Sequence, residues 1–124
     1  MAFPFERPRR LRNSPGIRRM VRETAVSPSD LVMPLFIHEG KNRAEPIKAM
    51  PGISRLTADL AVRECVELYR LGIPAVLLFG IPASKDARGS GAWDKNGVVQ
   101  DAVRAIKKEV PAMVVITDVC LCEY

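Results

Sequence analysis

The chain has 124 residues, 48% of them hydrophobic and 27% charged, with a formal net charge of +5. That is the composition of one globular domain: too short for two cores, too charged for a membrane protein, too apolar for a disordered one. No stretch approaches the roughly 20 apolar residues of a spanning helix, and Arg7, Arg9, Arg10 and Arg12 stand where a secretory signal carries its apolar region, so the expected location is the cytoplasm.

The positive charge is local. Residues 1–22 hold seven arginines against a single acid, Glu6, so the remainder is close to neutral. Two parts are expected: a basic N-terminal arm over 1–28 and a neutral body over 29–124. Only Phe3 and Phe5 supply the arm with aromatics for stacking on bases. Docking to another subunit is at least as good a use for it as nucleic acid.

In the arm, Ser14-Pro15 is a helix-start signal, and Ile17, Met20 and Val21 follow at helical spacing, which predicts a short helix from 15 to about 23. Ser27-Pro28-Ser29-Asp30 repeats the signal and leads into the first strand, over 31–37. Pro34 is awkward there, since it cannot donate to a ladder. Residues 39–55, rich in glycine, proline and charge, read as a long loop with its tight turn at Met50-Pro51-Gly52.

Thr57 then caps a helix that buries Ala58, Ala61, Val62, Cys65 and Tyr69 and stops at Gly72. The uninterrupted apolar run 75–81 has the pattern of a parallel strand covered on both faces. A polar loop over 82–96 is longer than such units usually need. From Gly97 a second helix buries Val99, Ala102, Val103, Ile106 and Val110, and Pro111 separates it from a last strand over 113–117. The order is arm, β, α, β, α, β, with parallel strands joined by right-handed crossovers. Three strands leave two edges open, so a partner or further chain must supply the missing layers.

Chemistry concentrates at the end. Alternation along an extended chain puts Asp118, Cys120 and Cys122 on one side, at the carboxyl end of a strand, where α/β proteins place ligands. A catalytic zinc takes at least three protein ligands. The chain therefore looks like the opening of a metalloenzyme that stops at its active site. The bland alternatives are two packed thiols and a carboxylate capping the following turn. Cys65, on a buried helix stripe, belongs to the core, and an odd count of three cysteines argues for reduced thiols. His38, the only histidine, follows the first strand and is more readily a packed or solvent-facing residue than a ligand. No stretch gives a dinucleotide fingerprint or a phosphate loop.

Several motifs together carry a resemblance. Arg7-Pro8-Arg9-Arg10-Leu11-Arg12 with Ser14-Pro15, Pro34-Leu35-Phe36, Met50-Pro51-Gly52, Gly72-Ile73-Pro74-Ala75-Val76, Leu78-Phe79, Asn96-Gly97 and Asp118-x-Cys120-x-Cys122-x-Tyr124 (with Glu123 before the tyrosine) follow the order found in porphobilinogen synthases, also called 5-aminolevulinate dehydratases. The chain resembles that family from about residue 7 onward. The resemblance implies an N-terminal arm and the first three strands and two helices of a (β/α)8 barrel, a homo-octamer assembled through the arm, and no nucleic acid or membrane partner. It implies condensation of two molecules of 5-aminolevulinate to porphobilinogen, in tetrapyrrole and haem synthesis. It also implies zinc on Cys120 and Cys122 together with a third, later cysteine, and Asp118 beside the substrate. The family's two Schiff-base lysines lie in later strands, so this chain alone is expected to be inactive. The competing reading is a short non-catalytic βαβαβ protein that binds a protein partner or nucleic acid through its arm.

Overall fold

The computed structural model describes residues 9–119; Cys120 and Cys122 lie outside the described residues. The arm enters through a 3-10 turn, Arg10–Arg12, and helix α1, Pro15–Met20. The Ser14 hydroxyl accepts the Ile17 N–H at 3.2 Å, and Pro15 occupies the first turn, as its sequence predicts. The helix ends short of residue 23 because it buries no side chain, and so short a segment persists only as far as its cap and packing support it. A second turn, Pro28–Asp30, is closed by a capping box in which the Ser27 N–H donates to Asp30 Oδ2 at 2.8 Å.

The body is a five-stranded sheet in the order β2-β3-β1-β4-β5. Its centre matches the expected parallel set: β1 (Val32–His38), β4 (Ala75–Ile81) and β5 (Val114–Thr117), joined by α2 (Ala58–Arg70) and α4 (Val98–Glu109). Two short strands, β2 (Ala44–Pro46) and β3 (Ser54–Leu56), replace part of the loop expected over 39–55. They pair antiparallel with each other, and β3 adds parallel to β1 at Phe36 and Ile37. Ala-Glu-Pro and Ser-Arg-Leu carry no alternating apolar pattern, so what makes them strands is a turn and a neighbour rather than propensity. Pro51 and Gly52, the latter at φ +85°, form the turn that the Ile53 N–H closes on Met50 O at 3.0 Å. Pairing of β1 with β3 starts only at Phe36, so at Pro34 that edge of the strand has no partner and a missing N–H breaks no ladder bond.

Both long helices lie on one face of the sheet. Leu35, Ile37, Val76 and Leu78 meet Cys65 and Ile106 there, with Met113 entering from the turn before β5. Leu68, not Tyr69, closes the α2 stripe: Leu68 is 6% exposed and Tyr69 45%. The apolar run of β4 is thus covered on one face, not on two as its sequence suggested. Among the described residues no helix covers the face carrying Phe36, Leu77, Phe79 and Ile116. Thr57 starts α2 with its backbone but does not cap it with its side chain. Its hydroxyl accepts the Arg43 N–H at 3.1 Å instead, fastening the hairpin to the helix start.

Candidate functional site

The three central strands point the same way, so His38, Ile81 and Thr117 bring their carboxyl ends to one rim. Asp118 follows directly on β5. Its N–H reaches Leu78 O at 3.5 Å, the last, stretched rung of the ladder. Val114 and Ile116 face the side without helices, and alternation continues that set to Asp118, in the row of Phe79 and Phe36. Asp118 is exposed.

A cavity of about 580 Å³ opens between the ends of β4 and β5 and the first turns of α4, bordered by Leu78, Gly80, Val99, Val103 and Asp118. Gly80 permits this junction: a Cβ there would collide with Val99 Cγ2. Two of the polar side chains around the cavity are engaged. Arg104 donates to Lys95 O at 2.8 Å and pairs with Asp101, and the Gln100 amide donates to Ala92 O at 2.8 Å.

The long loop after β4 contains a single helical turn, α3 (Ser90–Trp93), and is ordered by its own acids. Asp86 accepts from the Ser90 hydroxyl and from the Ser90 and Arg88 N–H groups, bonds that hold its carboxyl below the ordinary range. Asp94 accepts from the Asn96 N–H at 2.8 Å, and Glu39 from the Ala83 N–H at 3.3 Å, which ties the loop to the end of β1. These carboxylates shape the rim from within.

The uncovered face is different in kind. Phe36 and Phe79 stack with ring centroids 5.4 Å apart at 22°. Arg55 stands opposite Phe36, and His38 is the next residue of β1 on that face. Buried Nε of Arg55 and Nε2 of His38 have no hydrogen-bond partner among the described residues. Sequence reasoning gave His38 a minor place and missed Arg55, because a strand of Ser-Arg-Leu cannot be told from loop without its neighbour.

Among the described residues no group of three His, Cys, Asp or Glu side chains could hold a metal. The donors expected for zinc, Cys120 and Cys122, fall beyond Val119, and Cys65 is buried in the core, where burial pushes its thiol up to about 11. Lys107 is occupied: its Nζ donates to Met113 O at 2.9 Å and to Pro111 O.

Parallel strands with helices on the outer face, and a long loop and an acid at the carboxyl ends, define an open portion of a (β/α)8 barrel. Residues 5–124 match the family profile of delta-aminolevulinic acid dehydratase. The chain belongs to that family. It is 51% identical over 122 residues to the delta-aminolevulinic acid dehydratase of Synechocystis sp., a match covering 98% of this chain and 37% of that protein. It is 49% identical over 122 residues to the one from Synechococcus elongatus, with the same coverage, and 48% identical over 124 residues to that of Methanothermus sociabilis, covering 100% of this chain and 38% of the relative. A crystal structure of delta-aminolevulinic acid dehydratase (porphobilinogen synthase) from Toxoplasma gondii, in complex with the reaction product porphobilinogen, superposes with a TM-score of 0.84 at 34% identity, over 94% of this chain and 33% of that one. The chain thus spans a little over a third of the curated relatives' length. No helix of the described residues is long and apolar enough to cross a membrane.

Proposed function

We propose that the protein to which this chain contributes is a porphobilinogen synthase, condensing two molecules of 5-aminolevulinate to porphobilinogen with loss of two waters. One observation carries the reading: a relative bound to that product superposes on 94% of the chain. Asp118 stands at the carboxyl end of β5, where barrel enzymes gather their catalytic groups. Its exposed carboxylate suits it to hold the ammonium of a substrate or to accept a proton from it.

Cys120 and Cys122 are the residues that would hold zinc, since paired thiolates are donors that metal favours. Bound zinc supplies Lewis-acid polarisation of a substrate oxygen. The arginine arm, whose two described helical turns bury no residue, suits docking onto further copies in a homo-octamer working in the cytoplasm. The amine nucleophiles for the carbon chemistry are not in this chain. Lys107 is bound to backbone carbonyls, Lys41 and Lys48 are exposed in the segment between β1 and β3, Lys85 and Lys95 lie in the loop after β4, and Lys108 is exposed on α4. The 124-residue chain alone is inactive in this reading.

The test is a graft. This chain replaces the matching segment of the Synechocystis relative, and the chimera receives 5-aminolevulinate. A folded chimera forms porphobilinogen, Asp118→Asn slows it about a hundredfold or more, and Cys120→Ser with Cys122→Ser removes bound zinc. A folded chimera that makes no pyrrole overturns the proposal.

A further inference from the structure

Asn96-Gly97 is the one place in the sequence where glycine follows an asparagine; Asn13 is followed by Ser14 and Asn42 by Arg43. An asparagine side chain cyclises when the next amide nitrogen attacks its Cγ, and glycine, having no Cβ, leaves that approach open. Asn96 is exposed, in the turn that joins α3 to α4, so water reaches it.

The folded turn opposes the reaction. The Gly97 N–H donates to Asp94 O at 3.0 Å, so stripping its proton sacrifices the bond that closes the turn. The Asn96 N–H donates to Asp94 Oδ1 at 2.8 Å. Asp94 therefore fastens both residues of the reactive pair. Helix α4 holds the turn from outside: Arg104 Nη1 donates to Lys95 O at 2.8 Å, Gln100 Nε2 to Ala92 O at 2.8 Å, and the Asp101 N–H to Gly97 O at 2.9 Å. Gly97 is also hemmed in by backbone, since a Cβ there would meet Gly91 O at 2.7 Å and Asp94 O at 3.1 Å. A chain lengthened by a methylene at residue 96 finds no slack.

We propose that Asn96-Gly97 is a deamidation site gated by Asp94, and that its isoaspartate product unfastens the first turn of α4. When the turn opens, hydroxide takes the Gly97 amide proton, the nitrogen bonds to Asn96 Cγ, and the Cγ–Nδ2 bond breaks to release ammonia. Water then splits the cyclic imide. Cleavage at Cγ gives aspartate; cleavage at the backbone carbonyl carbon gives isoaspartate, with the chain running through Cγ and a new carboxylate beside it. The net exchange is water consumed for ammonia released. Val98, Val99 and Gln100 of that first turn border the cavity beside β4, so the change reaches the rim whatever reaction the complete protein carries out.

The 124-residue chain is incubated in mildly alkaline buffer, folded and in denaturant, and isoaspartate is located by peptide mapping. In denaturant Asn96 loses its amide well before Asn13 and Asn42, and in the folded chain the loss is slower by about tenfold or more. Asp94→Ala, at an exposed position, speeds the folded chain about fivefold, and Asp94→Asn, whose side-chain oxygen still accepts, restores the slow rate. In the isoaspartate form the Asp101 N–H exchanges about tenfold faster, while the Val110 N–H at the far end of α4 is unchanged. The proposal is overturned if Asn96 keeps its amide in denaturant, if the folded chain reacts as fast as the unfolded one, or if folded Asp94→Ala reacts like wild type. It is equally overturned if the isoaspartate form keeps Asp101 protected, or if Asn96→Asp, which adds the charge without lengthening the chain, loses that protection to the same degree.

Discussion

Cys65 shows how one side chain couples the core to solution conditions. It is fully buried between α2 and the sheet, and burial, with a smaller contribution from the Glu64 charge, raises its thiol to about 11 from an ordinary 9.0. The folded chain therefore keeps a proton that the unfolded chain releases first. Stability on this account is complete below about pH 9 and falls as pH climbs toward 11, with a limiting slope of about 1.4 kcal/mol per unit. Denaturant titrations at intervals across that range should show the decline, and Cys65→Ala should flatten it while lowering stability at every pH through the cavity it leaves. An unchanged slope in the variant would assign the effect to another group. The sequence revealed this residue because a helix stripe is periodic. Arg55 and His38 escaped because nothing local distinguishes a buried donor from a solvated one.

Elements were legible in proportion to how much of their cause is local. The α2 and α4 stripes and the apolar run of β4 carry their own period, and Pro111 and Gly72 mark their limits. The hairpin of β2 and β3 does not, since its strands exist by pairing with β1 and by attachment to α2. Thr57 is that attachment. Fully buried, its hydroxyl accepts from Arg43 N at 3.1 Å and its own N–H donates to Arg43 O at 3.1 Å, while Asp59 takes the Asn42 N–H at 2.9 Å. Thr57→Val keeps the size and removes the hydroxyl, leaving the Arg43 N–H without an acceptor at a cost of about 1–3 kcal/mol. Hydrogen exchange should then quicken across β2 and β3 and leave α4 protected. Equal loosening of both would mean that the hairpin and the helices open as one unit, and that Thr57 is not a local fastener.

At the scale of the molecule, the sheet has a finished side and one that no helix of the described residues covers. A parallel sheet is stable with both faces covered, yet the helices occupy one, and on the other Val114 and Ile116 of β5 remain 53% and 41% exposed. The continuous apolar sequence of β4 foretold two covered faces, and among the described residues only one is covered, because a run of apolar residues records what a strand can bury and not which element packs on it. The chain covers 33% of the product-bound relative, whose remainder is the natural candidate for the second layer. A contiguous apolar surface of this kind binds solvatochromic dyes. The 124-residue chain should enhance anilinonaphthalene sulfonate fluorescence, and Val114→Lys with Ile116→Lys should reduce the signal by about half or more while the helical circular dichroism persists. Grafted into the Synechocystis relative, the same face should lose dye binding without any substitution, because closure of the barrel turns it inward. If the graft stays as bright as the chain alone, the bare face is not the barrel interior and the second layer must come from elsewhere.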